Sequence, residues 1–554
     1  MPLMGSLYIG NSGLTTSQNA LNTTAHNMSN ADTTGYVRQQ ILLGTNIYNT
    51  INVNKDAVSN QQIGLGVTYT KTRQVRDFFL DQTYRRESGR SAFYEVSSDA
   101  LSEVENLLDE MNGESFQESI SNLWTAVQEL AKDPSSAVTQ GLLVERCSEF
   151  ISRAKSVYGG LCDYQSNLNL TDKKDVETIN SYANKIKELN DEIRNIECGG
   201  FESANDLRDA RNQLVDELSA FANITYSEDI DGSVCIQFEG EDLVKRDVVY
   251  EIGLQEDPKT GFYTPFWTQN AKSHLDENGK RVYDDITGAH VFDLNKVISS
   301  DLNTDIGSLK SAMIARGDHK ADYTDLTEEN YDTSISQSVV MNIQAEFDQL
   351  VHGIATAMNK VISDAADAAR DANSADSNYL RDKDGNPIQI FQKIASDGYD
   401  KDGNYIKEDE DIVETLYSTT NIQINQLLLQ QPTLLGFVKA DKSIDFATME
   451  KMKAAFTTED TTLNPNVKKK SNFIDYYGDL VSQVANSGSV YKSILANQQE
   501  TVDTTFSARE QVAGVSQDEE MTNMIKYQNA YNAASRYINV INEMLEHIIN
   551  TLAV

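Results

Sequence analysis

From Met524 to the end of the chain, apolar side chains recur at alternating steps of three and four: Met524, Tyr527, Tyr531, Ala534, Ile538, Ile541, Leu545, Ile548 and Leu552. That spacing predicts one long helix carrying a narrow seam that packs against another helix. No Gly or Pro follows Gly514 to interrupt it. At the other end, Leu7, Leu14, Leu21 and Met28 fall seven residues apart, with Gly10, Ser17 and Thr24 between them. The small residues let a facing backbone come close but bury little apolar area. Each stripe is too thin to offset the entropy of ordering its own helix. Both ends are therefore expected to fold only against each other and against copies of the same chain. Tyr527 and Tyr531, on the seam, should pack between chains with their hydroxyls at the wetter edge.

Between the ends, helical periodicity dominates. Leu101, Val104, Leu108 and Met111 step by three and four before Asn112-Gly113, and Phe116, Ile120, Leu123, Val127 and Leu130 repeat the pattern. Asp133-Pro134 resets the chain, with Asp133 read as the cap of the next helix and Pro134 in its first turn. Val176, Ile179, Ala183, Ile186, Leu189, Ile193 and Ile196 form a further stripe that stops at Gly199-Gly200. Short β-branched runs with Gly64 and Gly66 predict a hairpin-like connector over 41–75, and alternation at Val234, Ile236 and Phe238 after Asp231-Gly232 opens a β-rich stretch. Helical patterns return, including 339–372, and resume from about 473 after a segment rich in Asp, Asn and Gly.

These patterns predict a multidomain α+β chain: long paired N- and C-terminal helices of coiled-coil type, a helical-bundle framework and β-rich inserted domains. The terminal inner-core unit comprises 1–45 and 506–554. The framework comprises 46–222, 305–372 and 471–505, with one insertion at 223–304 and a second at 373–470. A nested order of this kind closes each layer with contacts distant in sequence, which slows folding.

Charge narrows the function. The 554 residues carry 84 Asp and Glu against 47 Lys and Arg, a formal charge of -37. Nucleic acid and anionic membranes require basic surface, so neither is an expected partner. No segment is apolar enough to span a bilayer, and no N-terminal run resembles a secretory signal. The four cysteines, 147, 162, 198 and 235, lack paired spacing and read as free thiols. These features fit a cytosolic protein, and equally one exported unfolded without a cleaved signal peptide.

The segment Asn27-Met28-Ser29-Asn30-Ala31-Asp32-Thr33-Thr34-Gly35-Tyr36-Val37-Arg38-Gln39 resembles the signature of flagellar axial proteins of the rod, hook and hook-filament junction. Within it Asn27, Asn30, Thr33, Gly35, Tyr36 and Arg38 match, while Ser29 and Thr34 stand where the family has Ala and Pro. Three further stretches look like the first hook-filament junction proteins of that family: Arg76 to Glu87, Lys132 to Ala137, and Gly514 to Met521 continuing through Ile525 to Tyr531. The last contains Asp518, Glu519 and Glu520, which also suit the positive end of a helix dipole.

The resemblance implies a structural, non-enzymatic subunit, extracellular in the bacterial flagellum and exported by the type III route with a helper chaperone. It implies as partners copies of the chain itself, hook subunits on one side and the second hook-filament junction protein on the other. A hook or distal-rod subunit is the nearest alternative, and a flagellum-displayed adhesin or enzyme a more distant one.

Chemistry was sought in the insertions. No HExxH helix, GxSxG elbow or phosphate loop occurs anywhere, so no catalytic residue, metal ligand or cofactor is assigned. Asp382-Lys383-Asp384-Gly385 and Asp400-Lys401-Asp402-Gly403 fail calcium-loop spacing at the first position, as does the run Asp276 to Gly279, and read as turns. Lys468-Lys469-Lys470 reads as a solvated loop.

Overall fold

The computed structural model describes residues 3–52, 61–109, 115–200, 202–275, 281–294, 296–372, 374–394, 406, 408, 409 and 412–552. Asn112-Gly113, the run from Asp276 and the turn Asp400 to Gly403 lie outside the described residues. The chain is α+β, with long helices at both ends and small antiparallel sheets between them.

Helix α1 (Leu3–Ser29) leads into a two-stranded ribbon. In it β1 (Gln39–Thr45) pairs with β4 (Val67–Gln74), and β2 (Tyr48–Asn52) pairs with β3 (Gln61–Gly64). Next come α2 (Phe78–Asp109), α3 (Phe116–Lys132), the 61-residue α4 (Ala137–Glu197) and α5 (Asn205–Leu218). A four-stranded antiparallel meander follows, made of β5 (Ile224–Glu228), β6 (Val234–Phe238), β7 (Glu241–Lys245) and β8 (Val248–Val249). Two hairpins complete this stretch: β9 (Ile252–Glu256) with β10 (Tyr263–Trp267), and β11 (Lys272–Leu275) with β12 (Arg281–Asp285).

Helices α6 (Ser308–Arg316), α7 (Glu328–Asn330) and α8 (Val339–Ala372) then precede a short pair, β13 (Phe391–Lys393) with β14 (Ile422–Ile424). The chain ends with α9 (Gln426–Gln430), α10 (Phe446–Thr457), α11 (Phe473–Ala513) and α12 (Gln517–Leu552). Helix α11 runs along α2, and α12 along α1.

The turn between α3 and α4 departs from the expectation for Asp133-Pro134. Asp133 closes α3, its N–H donating to the Glu129 carbonyl, and its carboxylate accepts the Ser135 hydroxyl rather than capping α4. Ser136 holds the N-cap position and Pro134 stays outside the helix. Helix α4 also continues through Gly159-Gly160, because the missing side chain at Gly160 leaves room for Leu107 of α2, 3.0 Å from where a Cβ would lie. The Asp382 to Gly385 segment is a turn: the Asp382 carboxylate accepts the Asp384 and Asn386 N–H groups, and Gly385 takes a φ of +84°.

Apolar burial is divided between two large cores, and α4 passes through both. One gathers α3, the first half of α4, α8, the start of α11 and residues from Tyr379 to Leu463. The other joins the second half of α4 to α5, α6 and the β-sheet through Val176, Ile179, Ile186, Val215, Ile236, Trp267 and Met313.

Asparagines tie the helices to the strands. Asn180 donates to the Ile252 carbonyl and accepts its N–H, both at 2.9 Å. Asn190 does the same with Val234, at 2.9 and 3.0 Å, and Asn169 bridges the Gly261 carbonyl and the Tyr263 N–H. On α8, Asn359 donates to the Phe391 carbonyl and accepts from Ile390 and Phe391. A carboxamide carries one donor group and one acceptor in the arrangement of a peptide unit, so each stands in for a missing strand partner.

Candidate assembly site at the chain termini

Helices α1 and α12 lie antiparallel: Gly10 meets Ile538, Gly13 meets Ala534, and Asn27 with Thr24 reaches Glu520. The fully buried positions of α1 are Gly10, Thr16, Ser17, Ala20, Thr24 and Asn27, nearly all small. Leu7, Leu14, Leu21 and Met28 are half-buried. On α12, Ile541 is buried, while Met524, Tyr527, Tyr531, Ala534, Ile538 and Leu545 are half-buried and Ile548 is exposed. Leu552 is the final residue of the helix.

The helices come close at Gly10, where an added Cβ would sit 2.7 Å from Ile538 Cγ1 and 3.1 Å from Tyr537 Cδ1. Gly10→Val should therefore force the helices apart, at a cost of about 1 to 3 kcal/mol. Amide hydrogen exchange across residues 3–29 should accelerate about tenfold or more, with the middle of the chain unaffected. Unchanged protection would show that the helices do not meet there in solution.

Both helices of the pair carry large apolar side chains that no described residue covers. Tyr8 is 66% exposed, Met4 63%, Ile525 55%, Met544 53% and Ile549 62%. Apolar groups of this size on one helix pair are unusual for an isolated surface and mark an interaction face.

The matched motif residues build the elbow where this pair joins the rest of the chain. Asn27 donates from Nδ2 to the Gln39 carbonyl at 2.8 Å and accepts the Gln39 N–H at 3.0 Å and the Tyr36 hydroxyl at 2.8 Å. Asn30 donates to the His26 carbonyl, closing the end of α1, and accepts the Thr33 hydroxyl at 3.3 Å. Gly35 takes a φ of +79°, a conformation that disfavours any residue with a Cβ, as the chain turns back toward the ribbon. Arg38 ties both ends together. Its N–H donates to the Ala513 carbonyl at 2.8 Å, and its guanidinium pairs with Glu519 at 2.6 Å.

Asp518 and Glu519 are exposed in the first turn of α12, but Glu520 turns inward. Burial pushes its carboxyl up, against the hydrogen bonds from Asn27 and Thr24 and the nearby Arg38. Its role thus includes a direct tie to α1 as well as the helix dipole.

Several functional groups carry no signal in the spacing. Asp209 of α5 accepts the Val37 N–H at 3.2 Å and the Gln74 amide at 2.6 Å, and burial pushes it up to about 7. Arg509, near the end of α11, pairs with Asp216 at 2.7 Å and reaches Asp81 at 3.5 Å, while Arg85 pairs with the same Asp216 at 2.6 Å. Each guanidinium also lies over a tyrosine ring, Arg509 on Tyr84 and Arg85 on Tyr226. Of the small positions that α1 buries, the sequence singles out Gly10, Ser17 and Thr24.

Three family models match the chain. The flagellar hook-associated protein FlgK helical domain matches residues 101–375, the flagellar basal body rod FlgEFG protein C-terminal region matches 510–551, and the flagella basal body rod protein matches 7–36. Flagellar hook-associated protein 1 of Bacillus subtilis is 24% identical over 98% of this chain and 97% of its own. The Salmonella typhimurium protein of that name is 23% identical over 97% and 98%. The solved flagellar hook junction protein FlgK from Burkholderia pseudomallei superposes with a TM-score of 0.53 at 10% identity, over 78% of this chain and all of that one, and so shares the fold. Rod-type sequences at both termini around a FlgK-type helical middle, matched by relatives over nearly full length, show that the chain belongs to the flagellar hook-associated protein 1 family, structural components of the flagellum and not enzymes.

Proposed function

We propose that this chain is a hook-filament junction subunit whose paired terminal helices, Leu3–Ser29 and Gln517–Leu552, join it to copies of itself and to neighbouring axial subunits. The observation that carries this reading is the uncovered apolar face of the pair, with Tyr8, Ile525 and Met544 more than half exposed. In a tubular assembly that face is buried by adjacent copies, and the stripes of α1 and α12 gain the apolar area they lack alone. Hook subunits occupy one side of the layer and the second junction protein the other. The subunit is extracellular and reaches its place by the type III export route with a chaperone. No helix among the described residues is long and apolar enough to cross a membrane.

The assay is direct. Purified protein added to isolated hooks should bind their ends and permit filament growth when the later components are supplied. Binding to rods in place of hooks would transfer the chain to the distal-rod reading, which the rod-type matches at both ends make the closest rival.

A further inference from the structure

Where the chain leaves α1 and turns into the ribbon, it leans on α5. Asp209 of α5 accepts the Val37 N–H at 3.2 Å and the Gln74 amide at 2.6 Å, and Asp206, one turn earlier, accepts the Gln39 amide at 3.1 Å. These bonds fasten the elbow, and through it the terminal pair, to the body of the chain.

Asp209 is 7% exposed, yet it is in no ion pair among the described residues. The cations around it are engaged elsewhere: Arg76 with Asp81 at 2.9 Å, Arg38 with Glu519 at 2.6 Å, Arg208 with Glu197 at 2.7 Å, and Arg211 with Asn190 and the Gly232 carbonyl. On α1, His26 contacts the Tyr36 hydroxyl, whose own proton goes to Asn27. Glu520 of α12 takes hydrogen bonds from Asn27 and Thr24. A cavity of about 250 Å³, lined by Asp206, Asp209, Tyr36 and His26, opens beside the contact and admits water to it. A buried carboxylate that faces a second one without a counter-charge is costly in its ionised form. Burial, with Asp206 adding to it, pushes Asp209 up to about 7 against the pull of the Val37 N–H and Arg76. Protonated, the carboxyl still accepts both N–H groups through its oxygen lone pairs.

We propose that this contact is an acid-closed latch: protonated Asp209 holds the elbow on α5, and loss of the proton frees it, so that the terminal pair is fixed in acid and gains freedom toward neutrality. In the open elbow Asp209 meets water and titrates near the ordinary value of about 4. Closure then binds a proton over the range between the two values, and the ratio of closed to open falls about tenfold per pH unit until it levels off near 7. The bearing of the latch on assembly rests on the role proposed for the terminal pair. The latch itself belongs to the single chain, so it holds or fails apart from the hook assay.

The test is amide exchange on the full chain from about pH 5.5 to about pH 8.5, each rate divided by the chemical rate at that pH. Protection at Val37 should drop by more than about tenfold up to pH 7 and stay level beyond it. Asp209→Asn cannot ionise and keeps an acceptor for the Val37 N–H, so its protection should be the same at every pH. Asp206→Asn removes the like charge and should move the levelling-off to lower pH. The proposal is overturned if Val37 protection in the parent is level across the range, if Asp209→Asn keeps the parent's slope, or if Asp206→Asn leaves the profile in place.

Discussion

Removing residues 515–554 should abolish incorporation of the chain into the flagellum while leaving its main thermal unfolding transition within about 2 °C of the full-length value. The argument rests on where the apolar cores lie. Every buried residue of the two large cores falls between Ala100 and Val484, so none comes from α1 or α12. The truncation spares the elbow bond from the Arg38 N–H to the Ala513 carbonyl but removes Glu519 and Glu520, and with them the partners of Arg38, Thr24 and Asn27. Helix α1 then loses the surface it packs on and should become disordered. Incorporation assays beside calorimetry separate the outcomes. A shortened chain that still assembles would falsify the role given to the terminal pair, and a fall of ten degrees would make α12 part of the global core.

The largest expected loss of stability comes from Arg316→Met. Arg316 is 2% exposed, and its guanidinium pairs with Asp172 at 2.8 Å, donates to Asn169 at 2.7 Å and to the Tyr263 carbonyl at 3.1 Å, and lies over the Phe262 ring. The methionine retains much of the volume but leaves Asp172 buried without its counter-charge, at a cost of roughly 3 to 5 kcal/mol. For a chain in units of this size that is a drop of about 10 °C.

The loss should depend on pH. Burial already pushes Asp172 up to about 7 despite the arginine, and removing the arginine moves it higher. A carboxyl with a raised folded pKa holds its proton more tightly when folded, so stability increases as pH falls through that value. The variant should accordingly be closer to the parent at pH 6 than at pH 8. Glu346 and Asp348, each pushed up to about 7 by burial, give the parent the same direction of dependence. A urea midpoint for the variant that is flat or rises between pH 6 and pH 8 would sink this account.

The long helices were legible because their stripes are regular: the spacing over 339–372 and from 473 onward coincides with α8 and with the start of α11. The paired termini were legible for the same reason. Less visible was the unity of α4, which runs unbroken from Ala137 to Glu197 through Gly159-Gly160, with Leu107 packed beside Gly160. At Asp133-Pro134 the residues suit a cap, but Ser136 competes for that position and wins. The small residues Gly10, Ser17 and Thr24 of α1 were legible as places where a facing backbone could come close, and Gly10 does meet Ile538 of α12. Residues 379–463 bury Ile390, Phe391, Tyr417 and Phe437 in the core shared with α3, α4 and α8. Few of them lie in long elements, so no period announces it. The asparagine clamps were equally silent, since an isolated Asn in a helix reads as surface until the strand it serves is known.

Those clamps have a mechanical consequence. Asn169 and Asn190 stand 21 positions apart on a single helix, about 30 Å along its axis, with Asn180 between them. Bending or twisting the β module against that rod strains three two-point attachments at once, spread along a lever rather than gathered at a pivot. The module should thus follow α4 as a rigid outrigger, passing torque on to the shaft, with compliance left to the elbow around Gly35 and Gly514.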